Sequence, residues 1–342
     1  MIADDILLAE LGLAVTAYAL LGGADFGGGF WDLFAGGSRR GMPQRRLIEH
    51  AIGPVWEANH VWLIYAVVLL WSAFPTVFAA VASTCYIPLT LAALGIIGRG
   101  AGFAFRKTST SLASRRAFGA VFAFSSVATP FCLGAVAGGI ASGRVPPGIA
   151  AGGPFTSWLN PTSVLSGLLA VGVGAYLAAV FLTRDAQRER SELAETFRRR
   201  ALGAGVAVGA LAAVGLVVVA VDAPALFGLL ASGPALALVV ASIASGAVSL
   251  VLLALRRYVA VRVTAALAAA AIIWAWGAAQ YPLLLPGVTI SQAAAGPAVL
   301  HTLVGVTIVG TVVLAPSLWW MFHLFQRFPA AGAPERADGE GT

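Results

Sequence analysis

The chain has 342 residues, of which 59% are hydrophobic and only 11% charged, whereas a soluble domain carries roughly 25% charged residues. That balance excludes a water-soluble globular protein and leaves an integral membrane protein. The formal charge of +6 raises the question of a nucleic-acid partner, which the placement of the basic residues answers.

The N-terminus, Met1 to Asp5, carries two acids and no basic residue ahead of its first apolar run. No cleavable secretory signal is therefore expected, and that run is read as a retained first span. A span needs roughly 20 mainly apolar residues, and nine stretches qualify: 6–34, 53–73, 76–99, 117–140, 162–183, 201–221, 234–255, 263–281 and 298–325. The expected fold is all-α, with nine transmembrane helices arranged as two four-helix bundles plus one extra helix in a single domain, 1–328. The longer connections, 35–52, 100–116, 141–161 and 184–200, leave no room for a soluble domain between spans. The polar, Gly/Ala-rich tail 329–342 is expected to be disordered and cytoplasmic.

Loops retained in the cytoplasm keep Lys and Arg. Loop one holds Arg39, Arg40, Arg45 and Arg46, and loop three Arg106, Lys107, Arg115 and Arg116, with Arg99 at the helix edge. Loop five holds Arg184, Arg188, Arg190, Arg198, Arg199 and Arg200; loop seven holds Arg256, Arg257 and Arg262; the tail holds Arg327 and Arg336. Only Arg144 lies on the other side, so the N-terminus is expected outside and the C-terminus in the cytoplasm. The positive charge is thus a topology signal and gives no reason to invoke nucleic acid.

Buried polar residues are the other signal. The stretch "LGGADFGGGFWDLF" (21–34) sets an aspartate and five glycines inside the first span, where both are costly. Asp25 lies about eight residues, or roughly 12 Å, before the cytoplasmic end of that span. The second span opens with "GPVWEANHVWL" (53–63), which puts Glu57 about one turn from the same edge. Two acids from adjacent antiparallel helices thus fall in the cytoplasmic half of the bilayer, where an acid is kept only if paired, hydrated or used. His60 follows Glu57 on the same helix face, about 4.5 Å deeper. An acid followed inward by an imidazole can pass protons, because His titrates near neutral pH and desolvation raises a carboxylate toward that range. Arg99 is the alternative, a cation that neutralises one of the acids in a structural ion pair.

Other residues read more plainly. Cys85 and Cys132, the only cysteines, are small core residues with neither a disulfide framework nor a thiolate cluster. Gly22, Gly23, Gly27, Gly28 and Gly29 permit close helix approach, and "GGADFGGG" lacks the strand and Lys of a phosphate loop. Asp32 falls at the cytoplasmic interface and needs no function. His50, His60, His301 and His323 fall at different depths, save that His60 and His323 both lie toward the inner side, so haem binding by this chain alone is not expected.

The stretches "GADFGGG", "IGPVWEANHVWL" and "FPTVFAAV" (74–81) resemble the signature of subunit II of cytochrome bd-type quinol oxidases. "GRGAGFAFR" (98–106), "RRAFGAVFAFSSVATPFCLGAVAGGI", "LNPTSVLSGLLAV" and "YPLLLPGVTISQAAAG" (281–296) continue the likeness in the same order along nearly the whole chain. The resemblance implies a subunit that binds no haem, paired with a pseudo-symmetric, haem-bearing subunit I that carries haems b and d. The complex would oxidise quinol, reduce dioxygen to water and build a proton gradient across the bacterial cytoplasmic (inner) membrane. Membrane lipids, and in some arrangements a small accessory peptide, would be further partners. This chain would not be catalytic alone. The resemblance also implies that acids at the positions of Asp25 and Glu57 line a cytoplasmic proton path, with Trp56 and Asn59 shaping it.

The sequence departs from the family pattern at several points. Glu57-Ala58 stand where Asp-Gly is usual, His60 and Ala104 stand where acids are usual, and Gly23-Ala24 replace Gly-Phe. Two other readings stay open: a proton-coupled secondary transporter using Asp25, Glu57 and His60, and a structural scaffold whose buried acids are paired. Against the transporter, the polar cluster lies near one face and spans five and six hold no matching acid, whereas transporters place such sites near the midplane in both halves.

Overall fold

The computed structural model describes residues 2–37, 41–53, 56–189 and 191–327. The expected tail 329–342 lies outside the described residues, as do three of the loop arginines, Arg39, Arg40 and Arg190, and Arg336 of the tail. The chain begins with α1 (Ile2–Ala17), passes through a single π-helical turn (Tyr18–Gly22) and continues as α2 (Gly23–Leu33). These three pieces make one span, Ile2–Leu33. A π-turn inserts an extra residue into the helical ladder and re-aims the side chains that follow, here immediately before Asp25.

Helix α3 (Met42–Ile52) carries Pro43 in its first turn, where a missing N–H costs nothing. It is followed by α4 (Trp56–Ala73), α5 (Pro75–Thr84) and α6 (Tyr86–Thr108). The third span therefore differs from the expected 76–99: the long helix is Tyr86–Thr108, and Pro75–Thr84 is a separate, shorter apolar helix. The break lies at Cys85, whose φ of −99° and ψ of 27° leave the helical region, between two equally apolar pieces that hydropathy cannot tell apart. Arg99 consequently lies well inside α6 rather than at its end.

Helix α7 (Leu112–Ala141) is capped by Ser111, whose Oγ accepts the Ser114 N–H at 3.0 Å. Helix α8 (Pro161–Arg188) is capped by Asn160, whose Oδ1 accepts the Ser163 N–H at 2.9 Å. Such caps satisfy donors that a helix end leaves open. Then come α9 (Leu193–Asp222), the short α10 (Pro224–Leu230), α11 (Gly233–Ala254) and α12 (Tyr258–Gln280). A small antiparallel hairpin, β1 (Leu283–Leu285) and β2 (Val288–Thr289), leads into α13 (Ile290–Ala293), where Thr289 and Gln292 form a capping box. The last helix is α14 (Pro297–Arg327). Among the described residues eight helices can cross a membrane by length and composition, or up to nine if the bent pair α3 and α4 counts as one.

Two apolar clusters hold the helices together. One gathers Trp31, Ile48, Phe103, Phe122, Leu177 and Phe197 with residues of α11 and α12. The other joins Leu7, Leu69, Phe74, Val77, Val145 and Leu300 around the β-hairpin. Elsewhere large apolar side chains such as Val217 and Val309 are about two-thirds exposed, at 65% each, as expected of a surface covered by lipid. Where the sequence pattern puts its lone outer-side arginine, Arg144 pairs with Asp222 at 2.7 Å, and Thr162 Oγ1 donates to the same carboxylate at 2.6 Å. That network ties the loop after α7 to the start of α8 and the end of α9.

Glycines set the spacing around α2. A Cβ on Gly27 would run into the backbone carbonyl of Gly174 in α8, and one on Gly29 into the Ser126 side chain in α7, whereas one on Gly23 would meet nothing. Small residues of this kind let membrane helices approach closely. Gly27→Ala is expected to lower stability by about 1–3 kcal/mol, the usual cost of forcing atoms into a packed site, while Gly23→Ala is near neutral. Apparent Tm in detergent, compared between the two variants, checks this.

Candidate functional site

On the side of α2 away from the Gly27 contact, α4 and α6 enclose Asp25. Asp25 is 5% exposed, and its Oδ2 accepts a hydrogen bond from Asn59 Nδ2 of α4 at 2.8 Å. Arg99 of α6, 1% exposed, reaches the same segment from the other side: its Nη2 donates to the Asp25 backbone carbonyl at 3.1 Å. A buried cation is tolerated only with partners, and Arg99 finds further ones in aromatic faces. Its guanidinium carbon lies 4.9 Å from the centre of the Phe26 ring and 5.4 Å from that of Phe122. Asp25, Asn59 and Arg99 thus form one interior cluster from three helices. The arginine engages the main chain of residue 25, not its carboxylate, so among the described residues one carboxylate oxygen has no protein donor.

His60 lies beside this cluster, within 5.9 Å of the Tyr18, Phe26 and Trp56 rings. Both of its ring nitrogens are buried without a hydrogen-bond partner, as are the Tyr18 hydroxyl, the Thr129 hydroxyl and Arg99 Nε. Groups of this kind, left bare in a low-dielectric interior, are satisfied by ordered water. Glu57 behaves differently: it is exposed at the first turn of α4. The two acids thus differ in this chain: Asp25 is buried, whereas Glu57 is exposed on the first turn of α4, the helix whose Asn59 is buried.

Asp32 is also buried. It is bound by Arg45 Nε at 3.3 Å and Arg106 Nη1 at 2.9 Å, and Arg106 reaches Glu49 as well. Charge thus pins α2, α3 and α6 together about two turns beyond Asp25 along α2. Sequence reasoning missed Tyr18, Phe26 and Phe122, and also the polar run Ser125, Ser126 and Thr129 of α7, all buried. Three hydroxyls within five residues of an apolar span were the available signal. Glu10 was missed too: its carboxylate accepts from Tyr65 Oη and Thr307 Oγ1, each at 3.0 Å, and so links α1, α4 and α14.

The histidines do not fit an axial haem pair. His60 is enclosed by three rings, His323 is stacked on Trp319 at 5.2 Å, and His50 and His301 are exposed. Among the described residues no group of three or more His, Cys, Asp or Glu is placed to hold a metal ion. Cys85 and Cys132 are buried free thiols.

These features define a multi-pass α-helical membrane protein with a carboxylate, a carboxamide and a guanidinium gathered inside it. Residues 4–325 match the family model described as cytochrome bd terminal oxidase subunit II, and the chain belongs to that family. Among curated relatives it is 35% identical over 119 residues to cytochrome bd ubiquinol oxidase subunit 2 of Bacillus subtilis, covering 35% of this chain and 34% of that protein. It is 29% identical over 178 residues to cytochrome bd-I ubiquinol oxidase subunit 2 of Escherichia coli, covering 50% of this chain and 46% of that one. The chain thus spans a third to a half of the length of these relatives. Its fold is similar to a chain in the structure of bd oxidase from Geobacillus thermodenitrificans, with a TM-score of 0.80, 24% identity, and coverage of 95% of this chain and 99% of that one.

Arg99→Gln is expected to destabilise the protein by about 1.5–3 kcal/mol, the value of a hydrogen bond made by a charged group. The double variant Arg99→Gln/Asp25→Asn, which removes both charges, should recover part of that loss. Apparent Tm values of the two singles and the double form a cycle that reads the coupling.

Proposed function

We propose that this chain is the haem-free subunit of a bd-type quinol:oxygen oxidoreductase, and that its interior cluster is a station on a proton-uptake path from the cytoplasm. Family membership and the ubiquinol oxidases among its relatives support the first part. The second rests on one observation: a carboxylate held in the protein interior by a neutral carboxamide, with orphaned polar atoms around it. A carboxylate kept for packing alone would be expected to be closed off by its cation; Asp25 is not.

In this reading the N-terminus lies outside, the C-terminus is cytoplasmic, and residues 1–328 form a single domain of nine spans in two four-helix bundles plus one helix. The partner is a haem-bearing subunit I in a bacterial cytoplasmic membrane, with room for lipids and a small accessory peptide. Haems b and d held by that partner supply the electron transfer and oxygen chemistry when bound. The work of this chain is confined to protons. Glu57, exposed at the inner end of α4, takes a proton from the cytoplasmic edge. Trp56 and His60 line the passage, Asn59 holds the Asp25 carboxylate in place, and Asp25 receives the proton and passes it toward the partner. Arg99 fixes the backbone at Asp25 and places a positive charge near the carboxylate.

A second reading has its own support. Because Arg99 grips the main chain at residue 25, the same cluster also reads as a purely structural joint between α2, α4 and α6. The two readings part on turnover. In the purified complex, Asp25→Asn and Glu57→Gln are each expected to slow quinol-driven oxygen consumption by at least about tenfold, the lower range for an impaired proton-transfer group, with the reduced-minus-oxidised haem spectrum unchanged. Unchanged turnover in both variants would reject the proton path and leave the joint.

A further inference from the structure

A shallow, open groove of about 380 Å³ lies on the lateral face between the π-turn, α8 and α12. Its walls are apolar, from Leu20, Phe181, Ala266 and Ala270, and the charged side chain lining it is Arg262. Arg262 sits in the first turns of α12, where the guanidinium carbon is 4.9 Å from the Phe181 ring centre. Its charged neighbours are Asp185, Arg184 and Arg188 of α8, so positive groups outnumber negative ones at that end. Among the described residues no hydrogen bond or ion pair to a protein group occupies the Arg262 guanidinium.

We infer that this groove binds an anionic phospholipid, with Arg262 holding the headgroup phosphate and the walls of α8 and α12 taking one acyl chain. The arrangement follows the direction of a lipid leaflet: charge at the arginine-rich end of the helices, and methyl and methylene surface running from there toward the membrane interior. Basic pockets between transmembrane helices recognise anionic headgroups in this way, and an arginine fork suits phosphate geometry. Phe181 holds the guanidinium against its ring, at the groove wall. The small side chains Ala266 and Ala270 form the floor against which an acyl chain lies. The inference is independent of the proton path, since nothing in it involves Asp25 or Glu57.

Native mass spectrometry of the purified complex tests it, after incubation with equal amounts of phosphatidylglycerol and phosphatidylcholine of matched chains. The wild type is expected to retain phosphatidylglycerol over phosphatidylcholine by roughly fivefold, the ratio that one basic side chain at a membrane surface provides. Arg262→Gln should abolish the preference, and Arg262→Lys should keep most of it. Ala266→Trp, which fills the groove while leaving the arginine in place, should lower retention of both lipids. Equal retention of the two lipids by the wild type, or an undiminished preference in Arg262→Gln, overturns the assignment. So does a quinone retained in the same stoichiometry and lost on Ala266→Trp.

Discussion

Close contact between α2 and its neighbours is the constraint on which the interior of this protein depends. Where Gly27 meets the backbone of Gly174 there is no space for a methyl group, and where Gly29 meets Ser126 there is hardly more. At that separation the residues flanking the glycines are drawn into the protein, whatever their polarity. Asp25 falls on the opposite side of α2 from Gly27 and is enclosed there by Asn59 of α4 and Arg99 of α6, and Phe26 beside it supplies a face for Arg99.

Once the aspartate is inside, the rest of the cluster follows from the need to satisfy it. Asn59 supplies a neutral donor to the carboxylate, and Arg99 supplies charge without closing over it. This leaves a charged interior that is compensated overall and locally incomplete, with the histidine and tyrosine beside it also short of partners. About two turns nearer the arginine-rich end the opposite solution appears: Asp32 is engaged by both Arg45 and Arg106. The two aspartates of α2 are thus told apart by what faces them, one pinned and one available.

Much of this was legible beforehand. Twenty residues of apolar chain have one common use, so most of the expected stretches fall on helical spans. The glycines Gly22 and Gly23 ahead of Asp25, and Gly27 to Gly29 behind it, marked the unusual helix, and the "WEANH" segment marked its neighbour. The third helix, Tyr86–Thr108, is offset by about ten residues from the expected 76–99 because the break at Cys85 lies between segments of equal hydropathy, and only backbone geometry distinguishes them. The depth of Glu57 along its helix can be counted from residue number. The direction a side chain points around that helix depends on which neighbours pack against it.

The amino-acid sequence by itself determined the class of protein, the approximate helices, the residues that are expensive to bury and the family to which they belong, because each of these depends on composition or on order along the chain. The tertiary structure decided which costly residues meet. That Asn59 rather than Arg99 holds the Asp25 carboxylate, that His60 lies in a cage of rings, and that Glu10 ties α1 to a helix almost three hundred residues away are matters of helix rotation and distance across the bundle. A linear pattern does not carry them, since helices of similar apolar character can be turned about their axes at little difference in hydrophobic energy until packing and polar partners select one arrangement.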